Sequence, residues 1–367
     1  MHRSLPGCFL LLLLLGGEAV ADNRSLGIMT PEGGESVAYD MNAAGQVAAV
    51  IADADGVQRG VFFEHGKSIE LGSLGGLATE ARHINDKGEI IGSASRKDGN
   101  WSAFLYDRAS GMQVLGTLGG ASSHGTALNN AGAAVGFADV ASGDWHAFLY
   151  QRGEPLQDLG TLGGKISYAS GINNRGQVVG TATLPNGYRH AFLYEAGRGM
   201  VDLGTLGGRI STATAINDSG MIVGASEMAN RRWHAFLYDG HRMTDLGALT
   251  GGGDSFASGI NSAGHVVGTV LYEDARRSFV WRDNKMMLHG PGKGLYLTNA
   301  INNAEQVIGA TNDHGLTAAA MLSSTPPFVD PGLNKFIKLI AAVLMLAGAA
   351  VVARRRYRGI LFGGYGG

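Results

Sequence analysis

The sequence predicts an all-β protein, a seven-bladed β-propeller closed by its own N-terminal strand and followed by one C-terminal transmembrane helix. Three observations lead to this prediction. One sequence unit occurs seven times, each unit contains four strand-like runs, and the first and last units are incomplete in complementary ways. A fixed period of roughly 40–45 residues with four strands per unit is typical of a propeller blade.

Each repeat is marked by an apolar residue followed by asparagine. The spacings between successive asparagines are 43, 44, 44, 44, 44 and 41 residues. The seven asparagines are Asn42, Asn85, Asn129, Asn173, Asn217, Asn261 and Asn302. Gly accounts for 59 of the 367 residues, but it falls at repeated turn positions, which argues against a disordered low-complexity chain.

Four short runs in the fourth repeat have the pattern of β-strands, because they are rich in Val, Ile, Phe and Tyr and are bounded by Gly, Asn and Asp. They are Ser167–Asn173, Gln177–Thr183, His190–Glu195 and Met200–Leu206. Between the first two runs, the segment from Asn173 to Gly176 suits a tight hairpin turn, in which the Asn side chain bonds nearby backbone and Gly takes the left-handed conformation.

The two ends of the repeat region distinguish a closed ring from an open stack. The run Ser25–Met29 is a degraded copy of the Leu-Gly-Thr-Leu strand, and the repeats end at Ala319–Leu322 without such a strand. The N-terminal strand therefore completes the last blade, which leaves no unpaired sheet edge. A β-solenoid also repeats, but it has no reason to divide one unit between its two ends.

Closure by the N-terminal strand also predicts the order of strands within a blade. The strand added at the closing seam is the outermost one, so the Leu-Gly-Thr-Leu run lies outside and the Ser-x-Ala-x-Gly-Ile-Asn run lies innermost. The small residues of the inner run, such as Ser167, Ala169 and Gly171, suit a crowded central channel.

Residues 1–21 have the pattern of an export signal. His2 and Arg3 precede the apolar run Phe9–Leu15, and Ala19-Val20-Ala21 forms a small-x-small cleavage site. The only cysteine, Cys8, lies within this segment, so the exported protein would have no disulfide and no thiolate metal site. The propeller is predicted to span residues 22–325, and the export signal would place it outside the cytoplasm.

The C-terminal residues have the pattern of a membrane anchor. A Pro/Gly linker at 326–335 precedes an apolar run at 336–353, and a basic tail with an Arg cluster fills 354–367. Eighteen helical residues span about 27 Å, close to the thickness of the hydrocarbon core. The positive-inside rule places the Arg cluster in the cytoplasm and the propeller in the periplasm or at the cell surface. The alternative is a buried C-terminal helix.

Charge argues against a nucleic-acid partner. Residues 22–330 carry 22 Lys and Arg against 30 Asp and Glu, a net charge of −8, and the basic tail brings the whole chain to −2. A domain that binds a phosphate backbone is expected to be basic. The expected partners are the membrane and either a polysaccharide or an envelope protein, and no cofactor is predicted.

His146, His190 and His234 occupy one equivalent position, directly before Ala-Phe-Leu-Tyr. They lie on the third strand of neighbouring blades and cannot converge on one metal ion, so we expect packing and hydrogen bonding between blades. The Asp53–Gly56 segment resembles a calcium loop but lacks the later acidic ligands, and a hairpin turn is the favoured interpretation.

The repeated His-Ala-Phe pattern identifies a family resemblance. The four central copies, Ala103–Tyr106, Ala147–Tyr150, Ala191–Tyr194 and Ala235–Tyr238, resemble the HAF-repeat family of predicted extracellular repeat proteins. In the first and last repeats, Val61-Phe62-Phe63 and Ala319–Leu322 replace the triplet. The resemblance implies export and repetition and transfers no catalytic residues. The C-terminal segment also resembles bacterial envelope-sorting tails, although it lacks their Pro-Glu-Pro type motif.

Sequence variation is concentrated in the loops between the second and third strands. These loops are 53–59, 95–101, 139–145, 183–189, 226–233 and 271–276. Trp101, Trp145 and Trp233 take equivalent positions at the ends of three of them, and Arg189 takes the place of the Trp in the fourth repeat. Exposed aromatic residues among charges favour a binding surface. The alternative is that each Trp packs over the rim of its own blade.

The inner strands add a second set of candidates at the channel mouth on the same face. Variable positions there include Glu80, Arg82, His124, Tyr168 and Phe256, while Asp40 and His83 replace the usual Gly or Ala deeper in the channel. The only candidate active site is Asp40, Glu80, His83 and His124.

Three functions are therefore open at the level of sequence. The chain is expected to be a non-enzymatic binding module at the cell envelope. The alternatives are an envelope structural protein without a specific ligand, and a glycan-directed hydrolase with its site at the channel mouth.

Overall fold

The computed structural model confirms a seven-bladed β-propeller with its first strand in the last blade. It describes residues 23–28, 30–247, 253–272, 275–289, 295, 297–313, 316–322 and 328–329. Within these residues every regular element is a β-strand. The consecutive strands of each blade pair antiparallel, and the first strand of each blade lines the central channel, as the sequence predicts.

The first four blades each contain four consecutive strands. Blade 1 consists of β2 (Glu35–Met41), β3 (Val47–Ala52), β4 (Gln58–Glu64) and β5 (Lys67–Glu70). Blade 2 consists of β6 (Gly75–Ile84), β7 (Ile90–Arg96), β8 (Trp101–Asp107) and β9 (Gly111–Gly116). Blade 3 consists of β10 (Gly119–Leu128), β11 (Ala134–Val140), β12 (Trp145–Tyr150) and β13 (Gln157–Asp158). Blade 4 consists of β14 (Ser167–Ile172), β15 (Val178–Thr183), β16 (Arg189–Glu195) and β17 (Gly199–Asp202).

The last three blades follow the same order, with one added strand and one borrowed strand. Blade 5 consists of β18 (Gly207–Ile216), β19 (Ile222–Met228), β20 (Trp233–Tyr238) and β21 (Met243–Gly247). Blade 6 consists of β22 (Ser255–Ile260), β23 (Val266–Tyr272), β24 (Ala275–Arg282), β25 (Lys285–His289) and the short β29 (Phe328–Val329). Blade 7 consists of β26 (Leu297–Ile301), β27 (Val307–Asp313), β28 (Leu316–Leu322) and β1 (Asn23–Ser25).

The closing strand lies slightly earlier in the chain than the sequence predicts. It pairs antiparallel with β28, from Asn23 opposite Leu322 to Ser25 opposite Ala320. After one further bond from Leu26 N to Ala319 O, the chain leaves the sheet. Ile28 is then buried in the core shared by blades 7 and 1, so this apolar residue serves packing instead of strand pairing.

The Leu-Gly half of the Leu-Gly-Thr-Leu motif ends the outer strand, as the sequence predicts, but the Thr-Leu half is a connection between blades, which corrects the prediction. Strands β9 and β21 include the Leu-Gly pair, and in blade 4 Leu203 N donates to Ala191 O at 2.9 Å. In the fourth repeat the outer strand ends at Asp202, whose carboxylate accepts a hydrogen bond from Gly204 N at 2.7 Å. Gly204 has a φ of 73°, in the left-handed region, and turns the chain toward the next blade. Leu206 then forms a bridge to Met228 in blade 5.

A phenylalanine on the third strand fills the centre of six blades. Phe62, Phe104, Phe148, Phe192, Phe236 and Phe279 are all fully buried. In blade 4, Gly180 lies opposite Phe192 on the neighbouring strand. A Cβ at Gly180 would lie 2.0 Å from Tyr168 O and 2.8 Å from the Phe192 ring, so the Gly of the repeated Val-Gly pair is required by space. An irregularity in the inner strand between Ala169 and Gly171 accompanies this close approach.

The asparagine of each repeat joins one blade to the next. In blade 4, Asn173 Oδ1 accepts hydrogen bonds from the backbone N of Arg175 and Gln177, as the predicted turn requires. Its Nδ2 also donates to Asn217 O in blade 5 at 3.0 Å. Equivalent Nδ2-to-carbonyl bonds of 2.9 to 3.4 Å link the asparagines of blades 1 to 7 in sequence, and all seven side chains are buried.

The predicted signal peptide and the predicted linker, transmembrane helix and tail lie outside the described residues, apart from Phe328–Val329. No helix that could span a bilayer occurs in the part of the chain that the structure describes.

Candidate functional site

The two ends of the central channel differ in chemistry. We call the end with the turns that follow the seven repeated asparagines the Asn face. We call the opposite end, which carries Trp101, Trp145 and Trp233 and the loops between second and third strands, the Trp face. A cavity of about 380 Å³ opens within the channel and is lined by residues from the inner strands of all seven blades and from the Asn-face turns.

Asp40 and His83 lie against each other in this cavity. Asp40 Oδ2 lies 3.3 Å from His83 Nε2 and accepts a hydrogen bond from Ile84 N at 3.0 Å. Burial raises the pKa of Asp40, because desolvation outweighs the attraction of His83 and the backbone hydrogen bonds. The equivalent positions in blades 4 and 6 are Gly171 and Gly259, so the pair is a local departure from the repeat.

Arg82 is held by two neighbours. Its Nη2 lies 2.7 Å and its Nε 3.0 Å from Glu80 Oε2, and its guanidinium stacks over the Tyr39 ring at 4.5 Å. In blades 3 to 5 the position of Arg82 carries hydroxyl residues that bond to the backbone of the next blade. For example, Ser170 Oγ donates to Ala213 O at 2.7 Å. At this position blades 1 and 2 have Tyr39 and Arg82, so they lack the hydroxyl group that bonds to the next blade.

The structure separates the four candidate catalytic residues into two places. Asp40 and His83 touch each other and line the cavity, whereas Glu80 and His124 are not among the residues that line it. Glu80 is bound to Arg82, and His124 lies among aromatic rings on the Trp face. The four side chains do not form a single constellation.

Five rings form a continuous aromatic cluster on the Trp face, across blades 2 to 4. We define the aromatic cluster as Trp101, His124, Phe137, Trp145 and Tyr168. His124 is at its centre, with ring centroids 5.5 Å from Trp101, 5.0 Å from Phe137 and 5.5 Å from Trp145. Phe137 also contacts Trp145 at 5.2 Å and Tyr168 at 5.0 Å, both edge to face.

A hydrogen bond between blades 2 and 3 positions Trp101 in the aromatic cluster. Trp101 begins β8 in blade 2, and its backbone N donates to Ser122 Oγ of blade 3 at 3.2 Å, which directs the indole toward His124. Desolvation by burial lowers the pKa of His124, against the smaller influence of Glu80. The centre of the aromatic cluster is therefore a neutral imidazole at pH 7.

A second aromatic stack lies farther around the same face. Trp233 of blade 5 stacks on Phe256 of blade 6, with centroids 5.9 Å apart and planes at 29°. We call Trp233 and Phe256 the aromatic pair. Trp101 and Trp233 both stack on a ring from the inner strand of the following blade, whereas Trp145 packs on Phe137 of its own blade. The alternative that each Trp packs over its own blade therefore describes Trp145 only.

The remaining residue predicted on this surface, Arg189, lies exposed at the start of β16 and has no ring contact among those found in the described residues. Nearby, the guanidinium of Arg209 lies 5.6 Å from the centroid of the Tyr188 ring. Four of the five exposed large hydrophobic residues of the described chain lie on the Trp face. They are Leu77, Tyr188, Phe256 and Leu271.

Sequence reasoning missed Phe137, which joins Trp145 to Tyr168. Its signal was available, because the residue after the second-strand Gly is Ser93, Thr181, Ala225 or Thr269 in other blades, and only blade 3 has an aromatic residue there. Leu77 and Tyr188 were also missed, since a single exposed apolar residue in a loop has no periodic pattern.

The three repeated histidines bond within their own blades, so the predicted hydrogen bonding between blades is wrong. His146 Nδ1 lies 2.9 Å from Asp158 Oδ2 on the next strand of blade 3. His190 and His234 make the same contact with Asp202 and Asp245 at 2.8 and 2.9 Å. Among the described residues no group of three or more His, Cys, Asp or Glu side chains is placed to hold a metal ion.

The Asp53 segment is a turn, as predicted. Asp53 Oδ1 accepts hydrogen bonds from the backbone N of Asp55 and Val57, and Asp53 O accepts one from Gly56 N. The carboxylate is thereby committed to the local backbone and to Arg59, 3.3 Å away.

Comparison with known proteins finds similar solved structures but no matching family. No family model matches the sequence, and no curated protein matches it. The fold is similar to the β-propeller domain of the Trilobed protease from Pyrococcus furiosus, described as having an open velcro topology. That match has a TM-score of 0.57 and 12% identity over 80% of this chain and 96% of that chain.

Two other solved structures are similar to the same degree. A puromycin-hydrolysing peptidase from Mycobacterium tuberculosis matches with a TM-score of 0.56 and 11% identity, over 79% of this chain and 51% of the peptidase. The BP39L lectin from Burkholderia pseudomallei matches with a TM-score of 0.53 and 11% identity, over 81% of this chain and 98% of the lectin. At these identities the likeness shows the fold alone.

Proposed function

We propose that this protein is a non-enzymatic binding module whose ligand contacts the Trp face. The observation that carries the proposal is the aromatic cluster, in which five rings from three blades meet beside the channel mouth. Aromatic side chains with a large apolar area are the groups that most often dominate binding energy. The exposed Leu77, Phe256 and Leu271 extend this apolar surface around the same face.

The structural alternative explains the Asn face better than the Trp face. A purely structural ring needs the repeated joints, and the asparagine bonds join each of blades 1 to 6 to the next blade. It does not need Phe137 at a position where other blades have Ser93, Thr181, Ala225 or Thr269, nor His124 and Trp145 in contact with it. Departures from a local rule that bring no evident gain in stability are expected at functional sites.

The hydrolase alternative has weaker support. The two candidate carboxylates already have partners, Asp40 with His83 and Ile84 N, and Glu80 with Arg82. The fold itself does not discriminate, since one similar structure is a lectin and another belongs to a peptidase.

The proposal includes a location and a family. Residues 1–21 support export, the apolar run at 336–353 followed by the Arg cluster supports a membrane anchor, and the repeated Ala-Phe-Leu-Tyr segments support membership of the HAF-repeat family. Deleting residues 331–367 should release the protein from the membrane fraction. If the shortened protein still sediments with membranes, the anchor assignment fails.

A binding screen tests the function. Residues 22–330 contain every strand of the seven blades, and this fragment is screened against arrays of envelope glycans and purified envelope proteins. The triple change Trp101→Ala, Trp145→Ala and Trp233→Ala should abolish the binding that is found. The matched control is Val114→Ala, because Val114 is an exposed apolar residue on the outer strand β9, away from the Trp face.

Two outcomes would contradict the proposal. Binding that survives the triple change, in a variant that melts at the same temperature as the control, would move the site away from the Trp face. Absence of any ligand on either array would leave the structural alternative as the better explanation.

A further inference from the structure

We infer that the ligand is a neutral polysaccharide chain that contacts two separate aromatic subsites on the Trp face. The first subsite is the aromatic cluster around His124, and the second is the aromatic pair of Trp233 and Phe256. The inference rests on the proposed function and names the ligand class for that surface.

The chemistry of the first subsite suits a sugar ring. A pyranose has an apolar C–H face and an edge of neutral hydroxyl groups, so its site needs flat apolar rings beside fixed hydrogen-bonding groups. The aromatic cluster supplies the rings. Glu80 and Arg82 act electrostatically on His124 and are bonded to each other at 2.7 Å, so an acceptor and a donor are held in place beside the rings.

Charge at the first subsite favours a neutral ligand over an acidic one. Glu80 and Arg82 compensate each other, His124 is neutral, and the carboxylate of Asp139 also acts on His124. No uncompensated cation is therefore found among the charges that act on the imidazole. The net charge of −8 on residues 22–330 further disfavours a polyanion.

The two subsites share one construction. In each, a Trp at the start of a third strand stacks on a ring from the inner strand of the following blade: Trp101 on His124, and Trp233 on Phe256. The first stack joins blades 2 and 3 and the second joins blades 5 and 6. Three blades apart in a ring of seven, the two stacks lie nearly opposite each other across the channel mouth.

Opposite positions make the length of the ligand important. A short oligosaccharide can occupy one subsite only, whereas a longer chain can occupy both. The second contact then becomes intramolecular and strengthens binding by a large factor, about 10² or more when the spacing of the sites and the length of the chain match. A protein with a single aromatic site would show no such dependence on chain length.

The test measures the dissociation constants of the full-length protein for neutral glucans, mannans and galactans, each as a short oligomer and as a polymer, with alginate as the acidic comparison. At least one neutral series should bind, and its polymer should bind at least about tenfold more tightly than its short oligomer. Trp233→Ala should remove the gain from chain length and leave the affinity for the short oligomer at the first subsite unchanged.

Changes in the first subsite should weaken both the oligomer and the polymer. Trp101→Ala is expected to weaken the short oligomer at least about tenfold, equivalent to 1.4 kcal/mol. Because Trp101 is half-buried, Tyr168→Ala at the edge of the aromatic cluster provides a second variant, and Phe256→Ala does the same for the aromatic pair. Val114→Ala should change neither affinity.

The outcomes distinguish this inference from the proposed function. If no neutral glycan binds while a purified protein binds in a manner that the triple Trp change abolishes, the polysaccharide inference is wrong and the binding module remains. Tighter binding of alginate than of every neutral polymer, or equal affinity for oligomer and polymer, would also overturn it. Absence of any Trp-dependent ligand would overturn both.

Discussion

The Asn face and the Trp face are built from the same seven repeats, but they use them in opposite ways. On the Asn face, each blade has one buried asparagine, and the same Nδ2-to-carbonyl bond joins each of blades 1 to 6 to the next blade. On the Trp face, the residue at the channel mouth differs between blades, and so do its contacts. It is Glu80 in blade 2, His124 in blade 3, Tyr168 in blade 4 and Phe256 in blade 6.

This difference distinguishes residues that hold neighbouring blades together from residues that could contact a ligand. A contact between neighbouring blades must be made by every blade, because each blade has the same neighbour geometry, so the residue that makes it repeats. A ligand touches only some blades, and the residues that contact it are free to differ. Residues that depart from the repeat in this chain, such as Phe137 and Arg82, are therefore the informative ones for function.

The largest effect is expected from breaking a joint. Asn173→Ala removes the bond to Asn217 O and leaves the backbone N of Arg175 and Gln177 without their acceptor. Loss of such buried partners should lower the free energy of unfolding by about 3 kcal/mol. Urea denaturation measures this loss.

The neighbouring residue is the matched control for that joint. Asn174 is exposed; its Nδ2 donates to Asp218 Oδ2 and its Oδ1 accepts from Asn130 N, both at 2.8 Å. Because both bonds are exposed to water, Asn174→Ala should cost less than about 1 kcal/mol. Equal losses for the two variants would show that the buried asparagines are not special.

A smaller effect, dependent on pH, is expected from Asp40→Asn in the cavity. Burial raises the pKa of Asp40 above its ordinary value of 3.8, so the folded state favours the protonated carboxyl. The wild-type protein should therefore lose stability as the pH rises from about 4 through the raised pKa, and the variant should not. Thermal melting at a series of pH values should show the two proteins alike in acid and the variant the more stable at pH 7. A constant difference at all pH values would contradict this.

His124 should give the opposite dependence on pH. Burial lowers the pKa of His124 below 6.5, so the folded state favours the neutral imidazole. Its contribution to stability is complete above about pH 6.5 and is lost as the pH falls through the lowered pKa. His124→Phe should remove this part of the acid sensitivity, as measured by melting temperature between neutral and mildly acidic pH. If both proteins lose stability in parallel, the imidazole is not the group responsible.

The smallest effect concerns an irregular turn on the Asn face. Glu305 in blade 7 has a φ of 59°, at the position where Gly176 has a φ of 76° in blade 4. Its carboxylate also pairs with His265 at 3.0 Å and Arg282 at 3.2 Å. Glu305→Gly and Glu305→Gln both remove these pairs, but only Gly relieves the backbone, so the Gly variant should be the more stable of the two by about 1 kcal/mol. Equal stabilities would show that the turn is not strained.

The sequence predicted the architecture because the fold is repeated. Seven copies of one pattern reveal the number of blades, the four strands and the turn at Asn173 more surely than any single copy could. It failed for the second half of the Leu-Gly-Thr-Leu motif, which was predicted to continue the outer strand. In blade 4, Leu203 still bonds the third strand, but the carboxylate of Asp202 and the left-handed Gly204 then turn the chain out of the sheet.

The candidate site was predicted in part. Trp101, Trp145, Trp233, Tyr168 and Phe256 were identified from their equivalent positions in the repeat, and the structure places all five on one face. Their partners were not identified. Whether a ring meets another ring depends on the stagger between blades, which periodicity in one chain does not contain.

The sequence by itself determined the seven-fold repeat, the strand order within each blade and the closure of the ring, because these follow from local patterns and from the count of units. Only the tertiary structure decided which side chains meet across blades. It placed Asp40 against His83, brought His124 between Trp101 and Phe137, and kept His146 within its own blade. The physical reason is that these contacts join residues 12 to 43 positions apart on different strands, so they form only when the strands pair and the blades close around a common axis.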